Sequence, residues 1–229
     1  MRSFNLSHYL VAGPENCMHH TYSDIVYAAV RAGFTCVQVR SKTAKDNELL
    51  KLLEIAAGII AELKKQDTVT LLINDRADIA KAAAELGIKV DGVHVGQEDM
   101  SPSECRKILG ENTVIGLSAP QEKLSEYLET AELSCVDYFG IAPVHETETK
   151  KDLKKDRANR TIIPSAEEID TFAKKSPLPV VAGGGVKFAD LPLLAKTAVS
   201  GYFVVSAVCA AANPYNAACE LVETWNANR

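Results

Sequence analysis

At 229 residues, 47% of them hydrophobic, the chain is long enough to bury one large α/β core, a length that α/β barrels routinely fill as a single domain. Its 25 basic residues against 30 acidic ones leave a formal charge of −5, which argues against a general nucleic-acid or membrane-surface binder and makes any anion site local. Six cysteines without a C-x-x-C pair read as free thiols in a reducing cytoplasm, and no run approaches the roughly 20 apolar residues of a spanning helix. The start of the chain lacks the apolar core of a signal peptide, so a soluble, cytoplasmic protein is expected.

Short, apolar, β-branched runs recur at Tyr9–Gly13, Cys36–Arg40, Thr70–Asp75, Gly92–Gly96, Val114–Ser118, Tyr138–Val144, Val180–Gly185 and Gly201–Ser206, each followed by residues at helical spacing. Eight such units predict a single (β/α)8 TIM barrel spanning residues 1–229. The runs are continuously apolar instead of alternating, as expected for a parallel sheet covered by helices. Between strands, Asn47–Lys65 carries Leu49, Leu52, Leu53, Ala56, Ile59, Ile60 and Leu63 on one stripe, an amphipathic wall helix. Alanine-rich Ala77–Leu86 is a second helix stopped by Gly87, and Pro214–Trp225 can close the barrel. The long stretch from about residue 145 to 164 gathers Lys150, Lys151, Lys154, Lys155, Arg157 and Arg160, and reads as an anion-attracting lid.

In such a barrel, side chains at the carboxyl ends of the strands share one basin. Gln38, Arg40 and Lys42 fall at spacing two, on one side of an extended chain. Asn74-Asp75 ends the third apolar run and Gln97-Glu98-Asp99 follows the fourth. The two aspartates facing Arg and Lys fit either a structural ion-pair network or a Mg²⁺ site completed by substrate phosphates. Gly183-Gly184-Gly185 and Val205-Ser206 supply backbone N–H groups where barrel enzymes commonly hold a phosphate monoester. Two anion sites on opposite sides of one basin point to two phosphorylated substrates joined there. His19-His20 is expected at the surface and His94 as a hydrogen-bonded interior histidine, while Glu98 fits either a partner of Asp99 or a solvated loop carboxylate.

Taken in order, Gln38-Val39-Arg40-Ser41-Lys42, Asn74-Asp75-Arg76, Gly92-Val93-His94-Val95-Gly96-Gln97-Glu98-Asp99, Gly116-Leu117-Ser118, Thr147-Glu148-Thr149-Lys150 and Gly184-Gly185 resemble the motifs of the thiamine-phosphate synthase family over almost the whole chain. The resemblance implies transfer of hydroxymethylpyrimidine from its diphosphate to the ring nitrogen of hydroxyethylthiazole phosphate, releasing pyrophosphate and giving thiamine monophosphate. It implies Mg²⁺ on Asp75 and Asp99, pyrimidine diphosphate on Gln38, Arg40, Lys42, Asn74 and Lys150, and Ser118 beside the pyrimidine. Thr147 and Thr149 would touch the thiazole, with Gly184, Gly185, Val205 and Ser206 around its phosphate. Arg40, Lys42, Ser118 and Lys150 are then the catalytic set, acting on small-molecule substrates. Because an aminopyrimidine can delocalise charge at its exocyclic methylene, the expected reaction is a dissociative displacement without a general base.

The chain departs from the family pattern at His145-Glu146, Pro120, Gly183 and Ala12-Gly13-Pro14, on the thiazole side and the lid. Alternatives are a thiazole tautomerase of the same superfamily, which uses a histidine where this chain has Pro143, with His145 two positions on, and a non-catalytic thiamine-phosphate binding protein.

Overall fold

The computed structural model describes residues 4–146, 155 and 158–229. The apolar runs form strands β1 (His8–Ala12), β2 (Cys36–Val39), β3 (Thr70–Asn74), β4 (Gly92–Val95), β5 (Val114–Ser118), β6 (Tyr138–Ile141), β7 (Val180–Gly183) and β8 (Gly201–Val204). All neighbours pair in parallel and in sequence order, and β8 closes onto β1 with His8 opposite Tyr202. The fold is therefore the (β/α)8 barrel. Around it lie α1 (Tyr22–Ala32), α2 (Asp46–Glu62), α3 (Ala77–Glu85), α4 (Pro102–Leu109), α5 (Leu124–Thr130), α6 (Ala166–Lys175), α7 (Leu191–Leu194), α8 (Ser206–Cys209) and α9 (Pro214–Asn228).

Successive side chains of a strand point to opposite faces, so each strand feeds two cores. Leu10, Val37, Leu71, Ile73, Val93 and Ile115 face outward and pack with the helices. The expected stripe of α2 joins them: Leu49, Leu52, Leu53, Ala56, Ile59 and Ile60 are buried, while Leu63 sits just past the helix end and is half-buried. Tyr9, Val11, Cys36, Leu72, Val114, Tyr138 and Val181 fill the barrel itself. Helix starts are locally encoded. Thr21, Ser101 and Ser165 each accept a hydrogen bond from the N–H three residues on, and the carboxylates of Asp24, Glu104 and Glu168 accept in turn from the N–H of those cap residues.

Several strands stop one to three residues before the apolar runs do. Asp75 turns into the left-handed region with φ +62°, Pro143 has no N–H to extend β6, and Gly184 and Gly185 take φ +78° and +79° after β7. Among the described residues no helix is long and apolar enough to cross a membrane.

His8, 5% exposed at the β1–β8 seam, contacts the Tyr202 hydroxyl through Nδ1 at 3.2 Å. Burial, partly offset by a hydrogen bond with Asn226, lowers its pKa from 6.5 to about 4. The unfolded chain thus takes up this proton from pH 6.5 downward and the folded chain only near pH 4. Stability is expected to fall with acidification across that window, by up to about 3 kcal/mol. Urea denaturation at several pH values checks it, and an unchanged slope in His8→Gln would assign the acid lability elsewhere.

Candidate active site

The carboxyl ends of all eight strands open into one cavity of about 390 Å³. Tyr9 and Val11 of β1 and Gln38 of β2 line its floor, and Arg40 and Lys42, just past β2, line the same wall, as their spacing predicts. Asn74 and Asp75 follow from β3, Gln97 to Asp99 from the loop after β4, and Ser118 from β5. Gly184, Gly185, Val205 and Ser206 close the opposite side. Gln38, Arg40, Lys42, Asn74, Asp75, Asp99, Ser118, Gly184, Gly185, Val205 and Ser206 thus share one cavity. Thr147, Thr149, Lys150 and most of the basic run lie outside the described residues.

On the β2–β4 wall, Lys42 Nζ donates to Asp75 Oδ2 at 2.8 Å, and the Lys42 N–H donates to Glu15 Oε1 at 2.8 Å, which anchors this loop to the one after β1. Asp99 Oδ2 accepts from the Gly96 N–H at 2.8 Å. Burial and the adjoining Asp75 carboxylate hold Asp99 above the usual carboxylate range, against the pull of that N–H and of Lys42. The two aspartates therefore meet at the rim, close enough for the Asp75 carboxylate to act on Asp99. Arg76, between them and the helices, does a different job: its guanidinium pairs with Asp78 at 2.6 Å and Asp46 at 2.8 Å, bridging the starts of α3 and α2.

On the far side, the two left-handed glycines let the backbone tuck beneath the segment after β6. The Val144 and His145 N–H groups donate to the Gly184 carbonyl at 2.9 and 3.0 Å. A Cβ at Gly185 would stand 3.0 Å from His145 Cβ, so the close approach needs glycine. His145 turns its Nε2 to Asp190 Oδ1 at 2.9 Å, and it is Pro143 that lines the cavity.

His94 is hydrogen-bonded inside the barrel as expected, to Tyr138 and Ser118, yet it also lines the cavity floor. His19 is exposed and His20 half-buried, and Glu98 lines the cavity from an exposed loop. Sequence reasoning missed Tyr9 and Phe203, and named Gln97 only within the run after the fourth strand, with no role of its own. Gln97 Nε2 donates to the Ser118 carbonyl at 2.7 Å and the Tyr127 hydroxyl at 3.1 Å, which fixes the loop carrying Asp99. The available signal was the recurrence of glycine at inward strand positions, Gly116, Gly140 and Gly183, which vacates the barrel interior for the rings of Tyr138, His94 and Phe203.

A cavity at the carboxyl ends of the strands is where (β/α)8-barrel enzymes carry their chemistry, and here one of its walls holds cations and paired carboxylates. Comparison with known proteins narrows the class. The family profile described as thiamine monophosphate synthase matches residues 8–208. A thiamine-phosphate synthase from Psychrobacter sp. is 36% identical over 217 residues, covering 93% of this chain and 92% of its own. Another, from Methanobrevibacter smithii, is 33% identical over 227 residues and covers 99% of both chains. The solved thiamine phosphate pyrophosphorylase from Pyrococcus furiosus superposes with a TM-score of 0.76 at 25% identity, over 97% of this chain and 96% of that one. A 3-hexulose-6-phosphate synthase from Salmonella typhimurium, at 13% identity and TM-score 0.68, covers 97% of this chain and all of its own and shares the fold alone. This chain belongs to the thiamine monophosphate synthase family.

Proposed function

We propose that the chain is a thiamine-phosphate synthase, a transferase that joins hydroxymethylpyrimidine, from its diphosphate, to the ring nitrogen of hydroxyethylthiazole phosphate. The products are thiamine monophosphate and pyrophosphate. Family membership supports the activity. The observation that carries the site assignment is the meeting of Asp75 and Asp99 at a rim they share with Arg40 and Lys42.

The donor set fits a hard divalent cation. Adjoining carboxylates supply oxygen ligands and a local excess of negative charge. Among the described residues no cluster of three or more His, Cys, Asp or Glu side chains stands ready to hold a metal, so two carboxylates completed by diphosphate oxygens match Mg²⁺ better than an all-protein cage. When bound there, Mg²⁺ would supply Lewis-acid stabilisation of the charge gathering on the departing pyrophosphate.

The rest follows from the chain's own groups. Lys42, now paired with Asp75, can turn to the diphosphate when that carboxylate is engaged, and Arg40 adds a fork for phosphate oxygens. Asn74 and Gln38 orient the substrate from the floor, with Ser118 beside the pyrimidine. Gly184, Gly185, Val205 and Ser206 receive the thiazole phosphate on the opposite wall, bringing the ring nitrogen toward the methylene carbon. Bond breaking leads bond making, so no side chain must remove a proton. Thr147, Thr149 and Lys150, with the basic stretch of 145–164, are assigned to the thiazole and to a lid over the diphosphate. The 1–229 chain acts as one domain on small-molecule substrates, and its six free cysteines support a reducing cytoplasmic setting. His145, engaged by Asp190, is poorly placed for tautomerase chemistry.

Purified protein given both substrates and Mg²⁺ is expected to form thiamine monophosphate, and EDTA to reduce the rate at least ~100-fold. No product under conditions where another family member works would overturn the activity. Undiminished turnover in EDTA would overturn the metal role.

A further inference from the structure

A chain of hydrogen bonds crosses the barrel beneath the cavity, with the Cys36 thiol as a side branch at Tyr9. Gln38 Nε2 donates to the Tyr9 hydroxyl at 2.5 Å, Tyr9 and Tyr138 hydroxyls are 2.9 Å apart, Tyr138 Oη lies 2.8 Å from His94 Nδ1, and His94 Nε2 lies 3.0 Å from Ser118 Oγ. Its members come from β2, β1, β6, β4 and the end of β5. Two glycines make room for the rings. A Cβ on Gly116, the register partner of Tyr138, would lie 2.2 Å from Tyr138 Cζ, and one on Gly140 would lie 3.0 Å from His94 Cε1.

Each hydroxyl in this chain has one proton to give, so the donor at one end sets the order along its oxygen and nitrogen members. With the Gln38 amide donating to Tyr9, the Tyr9 proton goes to Tyr138, a better acceptor than the neighbouring Cys36 sulfur, and the Tyr138 proton to His94 Nδ1. Both phenols lie in a dry interior that pushes their pKa values well above the usual range, so they stay neutral and remain donors. His94 then carries its own proton on Nε2 and gives it to Ser118 Oγ. The Ser118 hydroxyl proton is left over, at the cavity surface.

We propose that Tyr9, Tyr138 and His94 are positioning residues that lock His94 as the Nε2–H tautomer and thereby commit Ser118 to donating its hydroxyl proton to an acceptor on the ligand, a ring nitrogen of the aminopyrimidine. The choice of ligand rests on the synthase reading; the tautomer does not. Removing the phenolic proton at position 138 frees His94 to place its proton on either nitrogen, and Ser118 to spend its own on His94.

The tests are a long-range ¹H–¹⁵N correlation spectrum of the histidine-labelled full chain, assigned with His94→Gln, and steady-state kinetics of Tyr138→Phe, Ser118→Ala and the double variant. His94 is expected as Nε2–H with an unprotonated Nδ1 in the parent, losing that form in Tyr138→Phe. The KM for the pyrimidine diphosphate should rise about tenfold in each single variant and no further in the double variant, with kcat less affected. An Nδ1–H tautomer in the parent protein overturns the proposal whether or not the chain is active. So do additive KM effects, or a Tyr138→Phe protein with its tautomer and KM unchanged. An inactive parent with the Nε2–H tautomer would instead overturn the synthase reading.

Discussion

Asp75→Asn is expected to lower turnover at least ~100-fold without a matching loss of stability. The reason lies in the backbone as much as the carboxylate. Asp75 stands at φ +62°, where most side chains are strained but Asn and Asp are tolerated. Asparagine therefore keeps the turn and the shape while removing the negative charge that we assign to the cation. The lost ion pair with Lys42 costs little, because the lysine is about half exposed. Alanine at this position would confuse the two effects, since it forfeits the carboxylate and fits the left-handed turn less well. Pyrophosphate release alongside thermal denaturation separates them. Near-parental turnover in Asp75→Asn would take this residue out of the metal site, and a collapse in melting temperature would make its role structural.

The second large effect is expected on the opposite end of the barrel. Arg106 on α4 is 8% exposed and turns inward. Its guanidinium donates to the carbonyls of Gly110, Glu111, Thr113 and Cys135 and to Asp137 Oδ2 at 2.8 Å. The same Asp137 oxygen accepts from the Ile115 N–H at 2.7 Å. One arginine thus ties the entries of β5 and β6 to α4. Arg106→Ala leaves a largely buried carboxylate and several carbonyls without their donor, and should cost about 3–5 kcal/mol in unfolding free energy. Lysine cannot replace the fork and should recover only part of this. Because the site is at the far strand ends, kcat per folded molecule should be unchanged; urea titration with an activity measurement of the soluble fraction checks both. A loss under 1 kcal/mol would mean that water satisfies those groups.

The fold was legible because its signals are local and repeated. Continuous apolar, β-branched runs of five to seven residues, each trailed by an apolar stripe such as Leu49 to Ile60, specify strand and wall helix without knowledge of the partner. The rim residues were legible for the same reason. Residues at spacing two, such as Gln38 and Arg40, must emerge on one side, and Asp75 and Asp99 stand where apolar runs end. What escaped depends on closure. Tyr9 and Tyr138 are 129 positions apart and meet only once the sheet joins into a ring. Arg106 reads as an ordinary charged helix residue until the backbone carbonyls it serves are seen to converge. The ends of the strands escaped too, because hydrophobicity does not register a left-handed Asp75 or a proline without an N–H.

The alternation of the strands between two cores has a consequence for how such a protein changes over time. Residues that hold the wall and residues that touch ligands interleave one by one along the same few positions, so point replacements at inward sites can retune chemistry while the outer shell is left intact. A one-residue insertion or deletion within a strand is the opposite kind of event. It would swap the two sets at a stroke, presenting Leu and Ile to the reactants and Arg or Gln to the helices, so lineages built on this plan should vary in length at their loops and hardly ever inside a stave.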